Sequence, residues 1–167
     1  MDSPHRATVL DTSVLSNFAH VDRVELVCTL PRSVTVPAVR DELERGVQSH
    51  PYLQRAVTAL DADIPVVTPS ATAANLETTL LETLDPGEAQ ALAVAEAVDG
   101  TVVTDDGDGR AVATRRDVPV TGSIGLLVRF VEDGDLTAET ADAFLKRWID
   151  EAGFRSPARE FGVFLEE

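Results

Sequence analysis

The chain has 167 residues, 44% of them hydrophobic, and 29 acidic against 14 basic side chains give it a formal net charge of -15 at pH 7. This length fills one core and is short for two comfortable domains, and no apolar run approaches the roughly 18 residues a membrane span needs. A single cysteine, Cys28, excludes an internal disulfide and a multi-cysteine metal centre, and it is expected as a small buried core residue.

The opening Met1-Asp2-Ser3-Pro4 lacks a basic region followed by an apolar one, so the expected location is cytoplasmic. The acids are scattered along the chain instead of gathered in a tail. This reads as a surface adapted to a salt-rich cytoplasm, because at about 1 M salt the Debye length falls to roughly 3 Å. In dilute buffer the same charge opposes polyanionic partners.

Ala7-Thr8-Val9-Leu10 is a short apolar run expected as a buried strand, and Asp11-Thr12-Ser13 starts a helix that continues to Ala19. Asp11 then stands at the carboxyl end of a buried strand, where open α/β sheets place their sites. Asp is equally a favoured helix N-cap, so both readings stand. Residues 21–30 form a second amphipathic segment, broken at Pro31. Ser33-Val34-Thr35-Val36, closed by Pro37, is the second strand, and Val39, Leu43 and Val47 then recur at helical spacing. Pro51 opens a helix to Leu60. Ile64-Pro65-Val66-Val67 is interrupted by proline and falls at a sheet edge or outside the sheet.

Helical pattern resumes over residues 71–84. Asp85-Pro86-Gly87-Glu88 begins the clearest helix, alanine-rich as far as Val98, with Asp85 as N-cap, Pro86 at the first position and Glu88 as the capping-box acid. Thr101-Val102-Val103-Thr104 is the third strand, followed by Asp105-Asp106-Gly107-Asp108-Gly109 and a helix to Arg115. Val118-Pro119-Val120 is a brief fourth strand. Thr121-Gly122-Ser123 caps a helix carrying Ile124, Leu127, Val128 and Val131, with Ser123 read as a cap because no histidine matches it as a nucleophile. Two helical segments close the chain, at 137–151 and 157–165. Strands alternating with helices predict a parallel sheet covered on both faces. The expected organisation is one domain over 1–167, with 135–167 as a helical extension packed on it.

Right-handed crossovers bring the carboxyl ends of parallel strands to one edge, gathering Asp11 with Asp105 and Asp106, while Glu42 and Glu88 lean over from helices. Several carboxylates in one pocket do not all stay ionised without a cation. Hard oxygen donors select Mg²⁺ or Mn²⁺, whose chemistry in such sites is that of nucleases. Each acid has a plainer reading: Asp11 and Glu88 as caps, Glu42 as part of a solvated helix face, Asp105 and Asp106 as a polar turn. A calcium loop is excluded, since Ala111 stands where glycine is needed and Arg110 where a ligand belongs. His5, His20 and His50 fall at the terminus and in loops without metal spacing. A Rossmann or P-loop glycine motif is absent. A phosphoacceptor receiver wants a lysine at a late strand end, and the only lysine, Lys146, lies in a late helix.

Val9-Leu10-Asp11-Thr12-Ser13-Val14-Leu15 resembles the opening motif of the PIN-domain family. Val36-Pro37-Ala38-Val39-Arg40-Asp41-Glu42-Leu43, the helix start Asp85-Pro86-Gly87-Glu88-Ala89-Gln90-Ala91-Leu92-Ala93, and Val102-Val103-Thr104-Asp105-Asp106 follow in that family's order. Thr121-Gly122-Ser123-Ile124-Gly125-Leu126-Leu127 is similar to the segment after the acidic motifs in a prokaryotic, VapC-like subfamily of toxin ribonucleases. The resemblance implies a Rossmann-like three-layer α/β/α sandwich with a mainly parallel central sheet. It implies a Mg²⁺- or Mn²⁺-dependent endoribonuclease, often the toxin of a type II toxin–antitoxin pair. Carried over by position, Asp11, Glu42, Glu88 and Asp106 are the four catalytic, metal-binding acids and Asp105 a fifth metal-binding candidate, with Thr12 and Thr104 in support. Glu88 departs from the aspartate common at the third position.

The expected partners are therefore RNA as substrate, a cognate antitoxin protein and a second copy in a homodimer, with no membrane. The competing reading keeps the fold as a non-catalytic nucleic-acid-binding or assembly module. Arg40, Arg45, Arg110, Arg115 and Arg116 are candidates for phosphate contacts, and each could equally pair with a neighbouring acid.

Overall fold

Thr8-Val9-Leu10 is buried along its whole length and forms β1 (Thr8–Leu10), the strand on which the sheet is built. A computed structural model describes residues 6–165; the opening tetrapeptide, His5 and the last two residues lie outside the described residues. The chain forms two units, Met1–Thr121 and Gly122–Glu167.

In the first unit β1 is followed by α1 (Thr12–His20), α2 (Glu25–Cys28), β2 (Ser33–Val34), α3 (Pro37–Gly46), α4 (Leu53–Ala62), α5 (Ala71–Leu80) and α6 (Pro86–Ala97). Then come β3 (Thr101–Val103), α7 (Gly107–Arg115) and β4 (Val120–Thr121). All pairings are parallel and the strand order is β2-β1-β3-β4, so this is an α/β fold with helical crossovers. Thr8 lies opposite Ser33 and Thr101, and Leu10 opposite Val103. The chain leaves β1 outward to β2, then returns past it to β3. The switch point of the topology therefore lies between β1 and β3, where such sheets bind their ligands.

Close approach at the entry to β3 demands glycine. A Cβ on Gly100 would lie 2.5 Å from the carbonyl oxygen of Ala7, the acceptor of the Thr101 N–H at 2.9 Å.

Several elements differ from their sequence expectations, and proline accounts for two. The second strand stops at Val34, and Thr35 instead bridges Val66, donating to Pro65 O and accepting from the Val67 N–H, both at 2.9 Å. The proline-interrupted segment thus takes the sheet edge, where Pro65 needs only to accept. Likewise β4 begins after Pro119, whose carbonyl accepts the Val102 N–H at 3.0 Å. The amphipathic segment at 21–30 contains only the one-turn α2, the helix expected from Pro51 starts at Leu53, and the one expected to reach Leu84 ends at Leu80. Cys28 is half-buried, not a core residue, and its thiol donates to Val24 O at 3.6 Å. His20 is the last residue of α1, not a loop residue, and meets Tyr52 edge-on at 4.8 Å.

The second unit comprises α8 (Ser123–Glu132), α9 (Ala138–Ala152) and a closing 3-10 turn, Phe161–Leu165, the only helical part of the expected 157–165 segment. Gly122, not Ser123, occupies the N-cap of α8, and Ser123 is its buried first residue. Leu126, Leu127 and Phe130 are buried, while Ile124, Val128 and Val131 are partly exposed. Thr137 caps α9 by accepting the Thr140 N–H at 3.0 Å, and Gly153 ends it in the left-handed region, φ 70°. Among the described residues no helix is long and apolar enough to cross a membrane.

Candidate metal centre

Among the described residues three acids occupy helix N-cap positions, and only two of them cap. Asp85 accepts the Glu88 N–H at 3.0 Å, and Asp106 accepts those of Asp108 and Gly109 at 2.9 and 3.1 Å. Asp11 has the extended N-cap backbone of α1 but makes no side-chain cap. Its Oδ2 instead accepts the hydroxyl of Thr104 at 2.7 Å, across the switch point, and its Oδ1 is buried with no hydrogen-bond partner. The residue is only 3% exposed. An orphaned carboxylate oxygen is expensive, and such a group calls for a ligand.

Glu88 likewise abandons its local role. The capping box needs its carboxylate to reach back to the Asp85 N–H, and no such bond forms. The side chain turns inward, 9% exposed, and with Asp11, Thr104, Leu92 and Gly109 lines a small void with no room for a water molecule. Burial pushes its carboxyl up to about 9, helped by the hydrogen bond with Asp106 and the charges of Asp85, Asp106 and Asp11. Asp106 is held below its ordinary value, chiefly because Glu88 donates to it. The protonated form of Glu88 and the ionised form of Asp106 are thus favoured. Burial also pushes Asp11 up to about 6, against the pull of the Thr104 hydroxyl and the Thr12 amide, with Asp85 and Glu42 adding repulsion.

Glu42 is half-buried on α3 and accepts the hydroxyl of Thr12, the first residue of α1. Its carboxylate lies against Gly87, where any Cβ would collide with it. Asp105 points elsewhere: its Oδ2 accepts the Asn17 side-chain N–H at 3.0 Å, and its own N–H donates to Ser13 Oγ at 3.0 Å. Asp11 and Glu88 thus line one small void, Asp106 faces Glu88, Glu42 approaches through Thr12 and Gly87, and Asp105 is turned onto α1. Ser13 and Asn17 were not anticipated as site residues. Their spacing of four puts them on one face of α1, a signal without meaning until β3 is known to lie beside it.

Among the described residues no three His, Cys, Asp or Glu side chains stand already grouped to hold a metal ion. The donor set nevertheless fits a hard divalent cation. Every donor is a carboxylate or hydroxyl oxygen, and one buried carboxylate oxygen lacks a partner.

The family profile DUF3368, a PIN domain, matches residues 7–167 and so spans both units. No match is found among curated proteins. A chain of the VapBC-1 structure from nontypeable Haemophilus influenzae superposes with a TM-score of 0.53 at 16% identity, covering 70% of this chain and 98% of that one. A chain of VapBC-5 from Mycobacterium tuberculosis, a member of the VapBC family of toxin–antitoxin systems, gives 0.51 at 22% identity over the same shares. At these identities the two structures establish a shared fold. With its parallel sheet, its acids at the strand ends and a match running from residue 7 to residue 167, the chain belongs to the PIN domain family.

Proposed function

We propose that this chain is a Mg²⁺- or Mn²⁺-dependent endoribonuclease acting as the toxin of a type II toxin–antitoxin pair. The observation that carries the reading is the buried, unpartnered Oδ1 of Asp11 at the switch point, beside the inward-turned carboxyl of Glu88. Asp11, Glu88 and Asp106 would hold the cation, with Glu42 completing the set and Asp105 at its margin. When bound, such an ion supplies Lewis acidity toward a phosphate oxygen and toward water.

The chain's own groups have distinct tasks in this reading. Thr104 orients Asp11 and Thr12 orients Glu42. The small cavity beside Asp11 and Glu88 is walled by Ala91, Leu92 and Val102, which keeps bulk water from the carboxylates. Among the candidate phosphate contacts, Arg40 is engaged by Glu44 and Asp61, and Arg116 by Glu96. Arg110 instead donates to the carbonyl of Thr104 at 3.2 Å, which stations a cation at the lip of the acid cluster. That is a suitable place to receive the backbone of RNA.

An antitoxin partner is supported by the VapBC systems whose fold the chain shares. A homodimer belongs to the same proposal. The test is cleavage of a mixed RNA pool at about 1 M salt, where surface repulsion is screened, with and without Mn²⁺. The reading requires cleavage that depends on the metal and is lost in Asp11→Asn. A chain that binds RNA and metal without cleaving is the assembly module instead.

A further inference from the structure

We propose that Gln90 is a positioning residue that sets the separation of Glu42 and Glu88 across the α3–α6 crossing. The starting point is a helix with no cap of its own. Helix α3 begins at Pro37, which has no N–H, and its N-cap residue is Val36, which has no side-chain acceptor. The first orphan donor is the N–H of Ala38. It finds its acceptor 52 residues away, in Oε1 of Gln90 on α6, at 2.7 Å.

The other end of the same amide is also fixed. Gln90 Nε2 donates to both carboxylate oxygens of Glu77 on α5, each at 3.1 Å. A donor on one side and an acceptor on the other allow only one orientation of the amide, so Gln90 ties α3, α6 and α5 at one point. Glu42 lies one turn beyond Ala38 on α3, and Glu88 lies two residues before Gln90 on α6. At the same crossing, the absence of a side chain at Gly87 makes room for the Glu42 carboxylate. The steric slot at Gly87 and the tether at Gln90 together fix where one acid stands relative to the other. An apolar residue at position 90 would still bury its surface, so the polar tether serves placement and not core packing.

This inference rests on the metal-centre reading, in which displacements of a fraction of an ångström in supporting residues weaken the ion's hold by about 10–100-fold. The test is a calorimetric Mn²⁺ titration of the full chain and three variants, each with its Tm recorded. Gln90→Leu is expected to stay folded and to weaken Mn²⁺ binding by roughly 10-fold. Gln90→Glu keeps the acceptor for Ala38 but faces Glu77, and is expected to fall between. Gln90→Glu combined with Glu77→Gln exchanges donor and acceptor, restores both links, and should recover affinity to within about 2-fold.

Unchanged Mn²⁺ affinity in a folded Gln90→Leu, or a double variant no tighter than Gln90→Glu, overturns the assignment. If Gln90→Leu does not fold, the single and double charge-exchange variants decide it by themselves. A wild-type chain that binds no Mn²⁺ overturns the metal reading and this assignment with it, whereas tight wild-type binding unaltered by the variants overturns this assignment alone.

Discussion

The hydroxyl of Thr104 donates to Asp11 Oδ2 at 2.7 Å and accepts the N–H of Asp106 at 3.2 Å. One side chain at the end of β3 therefore holds both the acid that ends β1 and the turn that presents Asp106. Thr104→Val keeps the shape and removes both bonds, taking from the buried Asp11 carboxylate the hydroxyl that its Oδ2 accepts. A loss of about 1–3 kcal/mol in urea unfolding is expected, with Mn²⁺ affinity down roughly 10–100-fold. Thr104→Ser retains the hydroxyl and should recover most of the metal affinity.

The raised carboxyls give the metal-free protein a definite pH response. Asp11 moves from 3.8 to about 6 and Glu88 from 4.5 to about 9, so in both the folded state favours the protonated form. The associated stability is fully present below the unfolded values and is lost as pH rises through the folded ones. Chelator-treated protein should thus lose stability steadily between about pH 4 and pH 9. At pH 8, Asp11→Asn removes a buried charge and is expected to stabilise the metal-free chain by about 2 kcal/mol, read by urea unfolding. A metal-free protein whose stability rises over this range would contradict the assignment.

Asp105 and Asp106 are adjacent but differently engaged. Asp105 is tied to Asn17 on α1, whereas Asp106 faces Glu88, whose bond holds it below its ordinary value. Asp106→Asn should weaken Mn²⁺ binding by about 100-fold and Asp105→Asn by no more than a few-fold, measured by the same titration. The reverse order would make Asp105 the principal ligand.

Arg110 reaches the Thr104 carbonyl, whereas Arg40 pairs with Asp61 and Arg116 with Glu96, which separates its effect from theirs. In cleavage assays Arg110→Ala should raise KM roughly 10-fold while leaving Mn²⁺ affinity unchanged, the loss expected of one charge-assisted contact. Arg116→Ala, which breaks the pair with Glu96, should leave KM within about 2-fold.

The local parts of this architecture were legible in the residues themselves. The buried run Thr8-Val9-Leu10 and the start of α6 at Asp85 and Pro86 appear where the sequence predicts them. What could not be read was whether Asp11 and Glu88 are caps, because the answer depends on where their side chains go. Asp11 is released from capping by Thr104, 93 residues further on, and Glu88 by Asp106. The links of Asn17 to Asp105 and of Gln90 to Ala38 likewise join positions 88 and 52 residues apart, and no periodicity encodes them. The strand edges shifted for a simpler reason: Pro65 and Pro119 contribute only carbonyls, so pairing stops or starts beside them.

The central claim is that the acids at the β1–β3 switch point, around the unpartnered Oδ1 of Asp11, are a divalent-cation site. It is tested most directly by calorimetric titration of Mn²⁺ into the chelator-treated protein at pH 7.5, repeated in buffers of different ionisation enthalpy. Binding should release a proton from Glu88, so the measured heat should change with the buffer, and Asp11→Asn should abolish binding. No binding by the wild-type chain, or tight binding that survives Asp11→Asn, would contradict it.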